Sequence, residues 1–219
     1  MITQQEHHLT VPRSARYVTL GEMNNDIREV WFVCHGYGQL ARFFMQHFTA
    51  IAAPQRLIVA PEALSRFYLS GVGGSGRIGA TWMTREDRLT EIADYIAYLD
   101  TLYEDVFSRI KREQVKVHLL GFSQGTATVC RWATAGKAIA DRLILWAGAV
   151  PPELDLNAHR DLLDRLDLTF VLGDQDEYAQ PEQVAQQEEW LQQHGINFRN
   201  IRFEGKHQMD GEVLKRLAK

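Results

Sequence analysis

The tightest constraint on how this chain folds is a turn near its middle. Val115-Lys116-Val117-His118-Leu119-Leu120 is an apolar run of strand character, residues 126–135 read as a helix, and Gly121-Phe122-Ser123-Gln124-Gly125 stands between them. A chain passes from strand to helix in so few residues only if the two elements pack against each other at once. The positions two before and two after the serine must then be nearly free of side chain, and both are glycine. The same geometry lifts the Ser123 hydroxyl above the sheet, within reach of a base. The bland alternative is a Gly-rich turn without chemistry, because Gly and Ser are both common loop residues. What decides between them is whether other segments supply a base, an orienting acid and donors for an oxyanion.

Strand-like and helix-like segments alternate around that turn. Residues 15–20 and 30–34 read as the first strands, 40–52 as a helix, and 56–60 as a short buried strand ending at Pro61. Residues 85–111 carry Leu89, Ile92, Ile96, Leu99, Leu102 and Val106 at helical spacing. Beyond the serine the pattern predicts strands over 142–146, 168–172 and 197–203, with helices over 181–194 and 209–217. Strands that are continuous apolar runs between helices imply a mostly parallel sheet with helices on both faces. The expectation is therefore an α/β fold, and the 219 residues suit a single domain over 1–219. Residues 63–84 break the order, with Gly71, Gly73, Gly74, Gly76 and Gly79 among Phe67, Tyr68 and Trp82. Following a strand whose carboxyl end should face the active side, the segment reads as a Gly-rich lid or a surface loop.

Composition excludes several classes. Lys and Arg number 24 against 28 Asp and Glu, a formal charge of −4, so no basic nucleic-acid surface is expected. The one dense basic stretch, Arg109-Ile110-Lys111-Arg112, reads as the end of a helix, where cations complement the dipole. Cys34 and Cys130 each lie in an apolar run, which fits buried free thiols better than a disulfide, and neither has a ligand-spaced partner for a metal. The polar start, Met1 to His8, lacks a signal-peptide core, and no apolar run is long enough for a bilayer. A cytoplasmic protein without stable membrane association is expected, as monomer or homodimer.

A serine hydroxyl is a weak nucleophile and needs a base. Of the 8 histidines, His7 and His8 lie at the amino terminus, His47, His159 and His194 on helix candidates, and His118 within the strand before Ser123. His207 instead sits in the polar turn Glu204-Gly205-Lys206-His207-Gln208 between the last strand and last helix, where a base should be. The acid should lie between serine and base. Gly173-Asp174-Gln175-Asp176-Glu177 follows the strand over 168–172, and one of its carboxylates can fix the histidine tautomer. Asp176 is the choice and Asp174 the reserve, which spacing alone does not separate. For the oxyanion, the backbone N–H of Gln124 and that of Tyr37, in the loop His35-Gly36-Tyr37-Gly38, are the candidate donors. His35 itself reads as shaping that loop.

Taken together, His35-Gly36-Tyr37-Gly38, Gly121-Phe122-Ser123-Gln124-Gly125, Gly173-Asp174-Gln175-Asp176 and Glu204-Gly205-Lys206-His207 resemble the phospholipase/carboxylesterase family of α/β-hydrolases. That family includes small bacterial carboxylesterases and acyl-protein thioesterases. The resemblance runs from about Glu29 to the end. It implies a single-domain α/β-hydrolase fold and a cofactor-free serine hydrolase, with Ser123, Asp176 and His207 as triad. It also implies a small-molecule ester substrate, lysophospholipid and thioester included. The family's second aspartate in Gly-Asp-x-Asp is its triad acid, which supports Asp176. Gln39 and Thr126 depart from the family pattern, as do residues 177–181 and 63–84. Tyr68 and Trp82 of that last segment are candidate pocket residues. Another possibility is a non-catalytic small-molecule binding protein that keeps the pocket without turnover.

Overall fold

The computed structural model describes residues 3–71 and 76–219. Met1 and Ile2 of the polar amino terminus lie outside the described residues, as do residues 72–75, with Gly73 and Gly74 of the glycine-rich segment. The chain begins with β1 (Tyr17–Leu20), β2 (Glu29–Cys34), α1 (Ala41–Phe44) and β3 (Arg56–Pro61). It continues through β4 (Ser65–Tyr68), β5 (Ile78–Thr81), α2 (Arg88–Phe107), β6 (Lys116–Phe122) and α3 (Gln124–Ala135). β7 (Arg142–Trp146), α4 (Arg160–Arg165), β8 (Asp167–Gly173), α5 (Pro181–Gln193), β9 (Arg199–Phe203) and α6 (Gly211–Leu217) complete it.

Among the described residues, seven strands form one sheet in the order β1-β3-β2-β6-β7-β8-β9. Only β1 runs antiparallel to its neighbour; every other pairing in this sheet is parallel. Side chains alternate between faces along a strand, and both faces are covered. Val30, Phe32 and Cys34 of β2 join one core cluster with residues of α2 and α3, while Trp31 and Val33 join the other with residues of α1 and α6. The expected mostly parallel sheet with helices on both faces is the observed one. Its parallel strands bring the loops after β2, β6, β8 and β9 to one edge.

Several boundaries differ from the sequence expectation. Residues 40–52 are not one helix: α1 lasts four residues and tightens into a 3₁₀ stretch over Met45–Ile51. The long helix starts only at Arg88, because Asp87 adopts a left-handed backbone with φ 46°. It also ends at Phe107, so the basic stretch 109–112 lies in the turn beyond it. There Arg112 donates to the carbonyls of Val115 (2.7 Å) and Ile139 (2.8 Å), which gives it a local structural role. α4 is an added short helix. Part of the segment 63–84, expected to be irregular, is a hairpin in which β4 and β5 pair with Ser65 opposite Thr81 and Tyr68 opposite Ile78.

Candidate active site

Ser123 occupies the turn between β6 and α3 with φ 54° and ψ −119°, a conformation that L residues rarely adopt. Close approach of backbone forces it. A Cβ on Gly121 would lie 2.2 Å from the Gly125 carbonyl oxygen, and one on Gly125 would lie 2.2 Å from that of Cys34. Strand β2, strand β6 and the start of α3 therefore meet without side chains between them. The Ser123 N–H donates to the Trp146 carbonyl at 2.9 Å, fixing the turn to β7. Although Ser123 stands at the N-cap position of α3, its side chain makes no capping hydrogen bond, so the hydroxyl is not committed to the helix.

His207 lies on the loop between β9 and α6, and Asp176 on the loop after β8. A carboxylate only accepts, so the imidazole donates from Nδ1, at 2.9 Å to Oδ2 and 3.1 Å to Oδ1 of Asp176. The Asp176 side chain is 1% exposed and also accepts from the Tyr178 N–H at 2.9 Å. With Nδ1 bound in this way, Nε2 is the nitrogen left for a reacting group. Phe122, the residue before the serine, packs on His207 with ring centroids 5.0 Å apart, and Tyr178 covers it from the other loop at 4.7 Å. Asp174 does something else: its Oδ1 accepts from the Gly205 N–H at 3.0 Å, tying the acid loop to the histidine loop.

The loop after β2 approaches the same point. A Cβ on Gly36 would stand 3.2 Å from Ser123 Cβ. The Gly36 N–H donates to Gln39 Oε1 at 2.7 Å and the Gly38 N–H to the Ala80 carbonyl at 2.9 Å. Between them the Tyr37 N–H has no acceptor among the described residues. Gln124 is the first residue of α3, where a helix leaves its N–H groups without intrahelical acceptors. Both candidate oxyanion donors are thus free backbone amides.

His35 is buried with both ring nitrogens engaged. Nδ1 donates to the Gly36 carbonyl at 2.8 Å, and Nε2 accepts from the Ala63 N–H at 3.1 Å. Burial holds its pKa below the ordinary value. It shapes the loop, as expected. Trp82 sits in the buried core, 3% exposed, and its indole N–H donates to the His35 carbonyl at 2.8 Å, supporting the loop from beneath. Tyr68 closes β4 and is exposed. One contribution escaped the sequence reading. The Gln124 side chain accepts from the Trp82 N–H at 3.1 Å and donates to the Met83 carbonyl at 2.9 Å, clamping the end of the hairpin to the serine turn. Only the residue type next to the serine hinted at it. Among the described residues no group of His, Cys, Asp and Glu is arranged to hold a metal, and no helix is long and apolar enough to cross a membrane.

Compared by sequence, the chain matches no protein-family model and no curated protein. Solved structures do share its fold. Zea mays acyl-protein thioesterase 2 superposes with a TM-score of 0.72 at 16% identity, over 94% of this chain and 96% of that one. A carboxylesterase from Mesorhizobium loti gives 0.67 at 19% identity, over 93% and 92% of the two chains. A phospholipase/carboxylesterase from Dyadobacter fermentans gives 0.62 at 16%, over 95% and 97%. At such identities the likeness is one of fold, and the fold is that of the α/β-hydrolases, as the sequence motifs implied.

Proposed function

We propose that the chain is a single-domain serine hydrolase that cleaves carboxylic esters or thioesters through an acyl-enzyme intermediate. The observation that carries this reading is the hydrogen bond from His207 Nδ1 to the buried Asp176 carboxylate, on two loops that flank the serine turn. Ser123 Oγ attacks the substrate carbonyl while Nε2 of His207 takes its proton. Asp176 keeps the proton-accepting tautomer in place and stabilises the imidazolium that forms. The oxygen of the tetrahedral intermediate takes its negative charge between the N–H groups of Tyr37 and Gln124. His207 then returns the proton to the leaving alcohol or thiol, and water, activated by the same histidine, releases the acid and regenerates the serine. No cofactor enters this sequence. That solved structures of like fold are named thioesterase and carboxylesterase supports the same reaction class.

Ser123→Ala is expected to abolish hydrolysis of p-nitrophenyl butyrate, and labelling by a fluorophosphonate probe, with the circular dichroism spectrum unchanged. Undiminished turnover in that variant would sink the proposal. A wild-type chain that neither turns over the ester nor takes the label would instead be a binding protein on a hydrolase scaffold.

A further inference from the structure

A cleft of about 760 Å³ opens beside the Tyr37 loop, between α1 and the β4–β5 hairpin. That volume is in the range of small-molecule sites. Gly38 and Gln39 form its edge nearest the loop, and Phe44 belongs to its wall. The Phe44 ring stands 6.1 Å from that of Phe122, which packs directly on His207. The cleft is thus linked to His207 through two successive ring contacts, and Gly38 and Gln39 at its edge belong to the loop that carries Tyr37.

Its charge is unlike that of the chain around it. Arg16, Arg42, Arg66 and Arg77 line the cleft, and among its described lining residues there is no carboxylate. Arg16 and Arg66 share the single buried carboxylate of Glu62, at 2.7 and 3.1 Å. Arg42 lies over the Phe43 ring with its guanidinium carbon 4.5 Å from the centroid. Neither Arg42 nor Arg77 pairs with an acid among the described residues. Four cations thus face one carboxylate in a chain where acids outnumber Lys and Arg by 28 to 24. Guanidinium groups present forked donors that match the oxygens of carboxylates and phosphates. Leu69 and Ile78, exposed apolar residues of the same cleft, offer surface for a hydrocarbon spacer.

We infer that this cleft binds the anionic end of the substrate, so that the preferred ester or thioester carries a phosphate or carboxylate a few bonds from its reacting carbonyl. The inference rests on the serine-hydrolase reading for the word substrate, but anion binding is measured without turnover. The intact chain is titrated calorimetrically with phenyl phosphate, phenylacetate and phenylacetamide. The two anions are expected to bind and the amide not. Replacing two charge-assisted contacts in Arg42→Gln/Arg77→Gln should weaken anion binding about tenfold or more. An unchanged melting temperature separates this loss from unfolding. Tighter phenyl phosphate identifies a phosphate ester as the natural ligand class, and tighter phenylacetate a carboxylate.

Turnover is then compared for 1-butyrylglycerol 3-phosphate and 1-butyrylglycerol. The wild-type kcat/KM ratio should favour the phosphate and fall in the double variant. Amide binding equal to the anions, or anion binding indifferent to the two substitutions, overturns the inference whether or not either ester is cleaved. Retained anion binding with neither glycerol ester nor p-nitrophenyl butyrate cleaved leaves the cleft as a ligand site and removes the hydrolase reading instead. Cleavage of p-nitrophenyl butyrate with no preference for the phosphate ester overturns the inference and keeps that reading.

Discussion

Asp174 and Asp176 stand on one loop with different partners. Asp176 takes the His207 proton donor, whereas Asp174 takes a backbone N–H of the histidine loop. Asp176→Asn is therefore expected to lower kcat by on the order of 10³- to 10⁴-fold, since an amide no longer fixes the tautomer. Asp174→Asn keeps an oxygen for Gly205 and should lower kcat far less; steady-state kinetics giving the reverse order would reassign the acid. His118 bears on stability. It is buried in β6, stacks on Trp31 at 4.5 Å, and leaves Nδ1 without a hydrogen-bond partner among the described residues. Burial, reinforced by the nearby charge of Arg142, pushes its pKa from 6.5 down to about 4. The unfolded chain therefore takes up a proton at His118 below 6.5 while the folded one resists until about 4. Stability should fall as pH drops through that window, by up to about 1.4 kcal/mol per pH unit from this one group. His35 and His47, also held low by burial, add to the same slope. His118→Phe removes one contributor, so urea unfolding across the window should show a flatter acid limb than the wild type.

At the level of elements, the serine turn depends on two absent side chains. Gly125→Ala places a methyl 2.2 Å from a backbone oxygen of β2, which no rotamer can relieve. The expected cost is about 3 kcal/mol or more, read as a lowered urea midpoint. A variant as stable as the parent would mean that strand and helix do not pack as described. This turn was legible in the sequence because its glycines are required by contact, as were β2, β6, β7 and β8, whose two-sided burial leaves continuous apolar runs. Other elements were not. The four residues of α1 and its 3₁₀ continuation share one apolar pattern, so Leu40 to Ala52 looked like a single helix. The hairpin has no strong alternation; Gln39 and Ala80 bridge it to the Tyr37 loop, a contact distant in sequence. That the Ser123 turn, the acid loop and the His207 loop gather at one edge of the sheet was readable, because each follows a parallel strand. The clamp made by the Gln124 side chain was not, since two of its partners, the Trp82 N–H and the Met83 carbonyl, are backbone groups that any residue carries.

Across the whole molecule, the two cysteines report on global integrity. Cys34 ends β2 and Cys130 lies within α3; both are free and buried, and burial raises both thiol pKa values, that of Cys130 to about 12. Thiolate is the reactive form, so an aromatic disulfide reagent should modify both only as fast as the domain unfolds, in one kinetic phase. Rapid labelling of one thiol in the native state would reveal local opening of its element. The hairpin bears on the whole molecule in a different way. Its backbone is stitched to the Tyr37 loop through Gly38 and Ala80, and its end is clamped to the serine turn by Gln124. A segment anchored at both reacting ends is not an interchangeable part. Replacing this hairpin by one of different length is therefore expected to move the N–H groups of Tyr37 and Gln124, the donors of the proposed oxyanion site, so that any change of selectivity made there would change turnover with it.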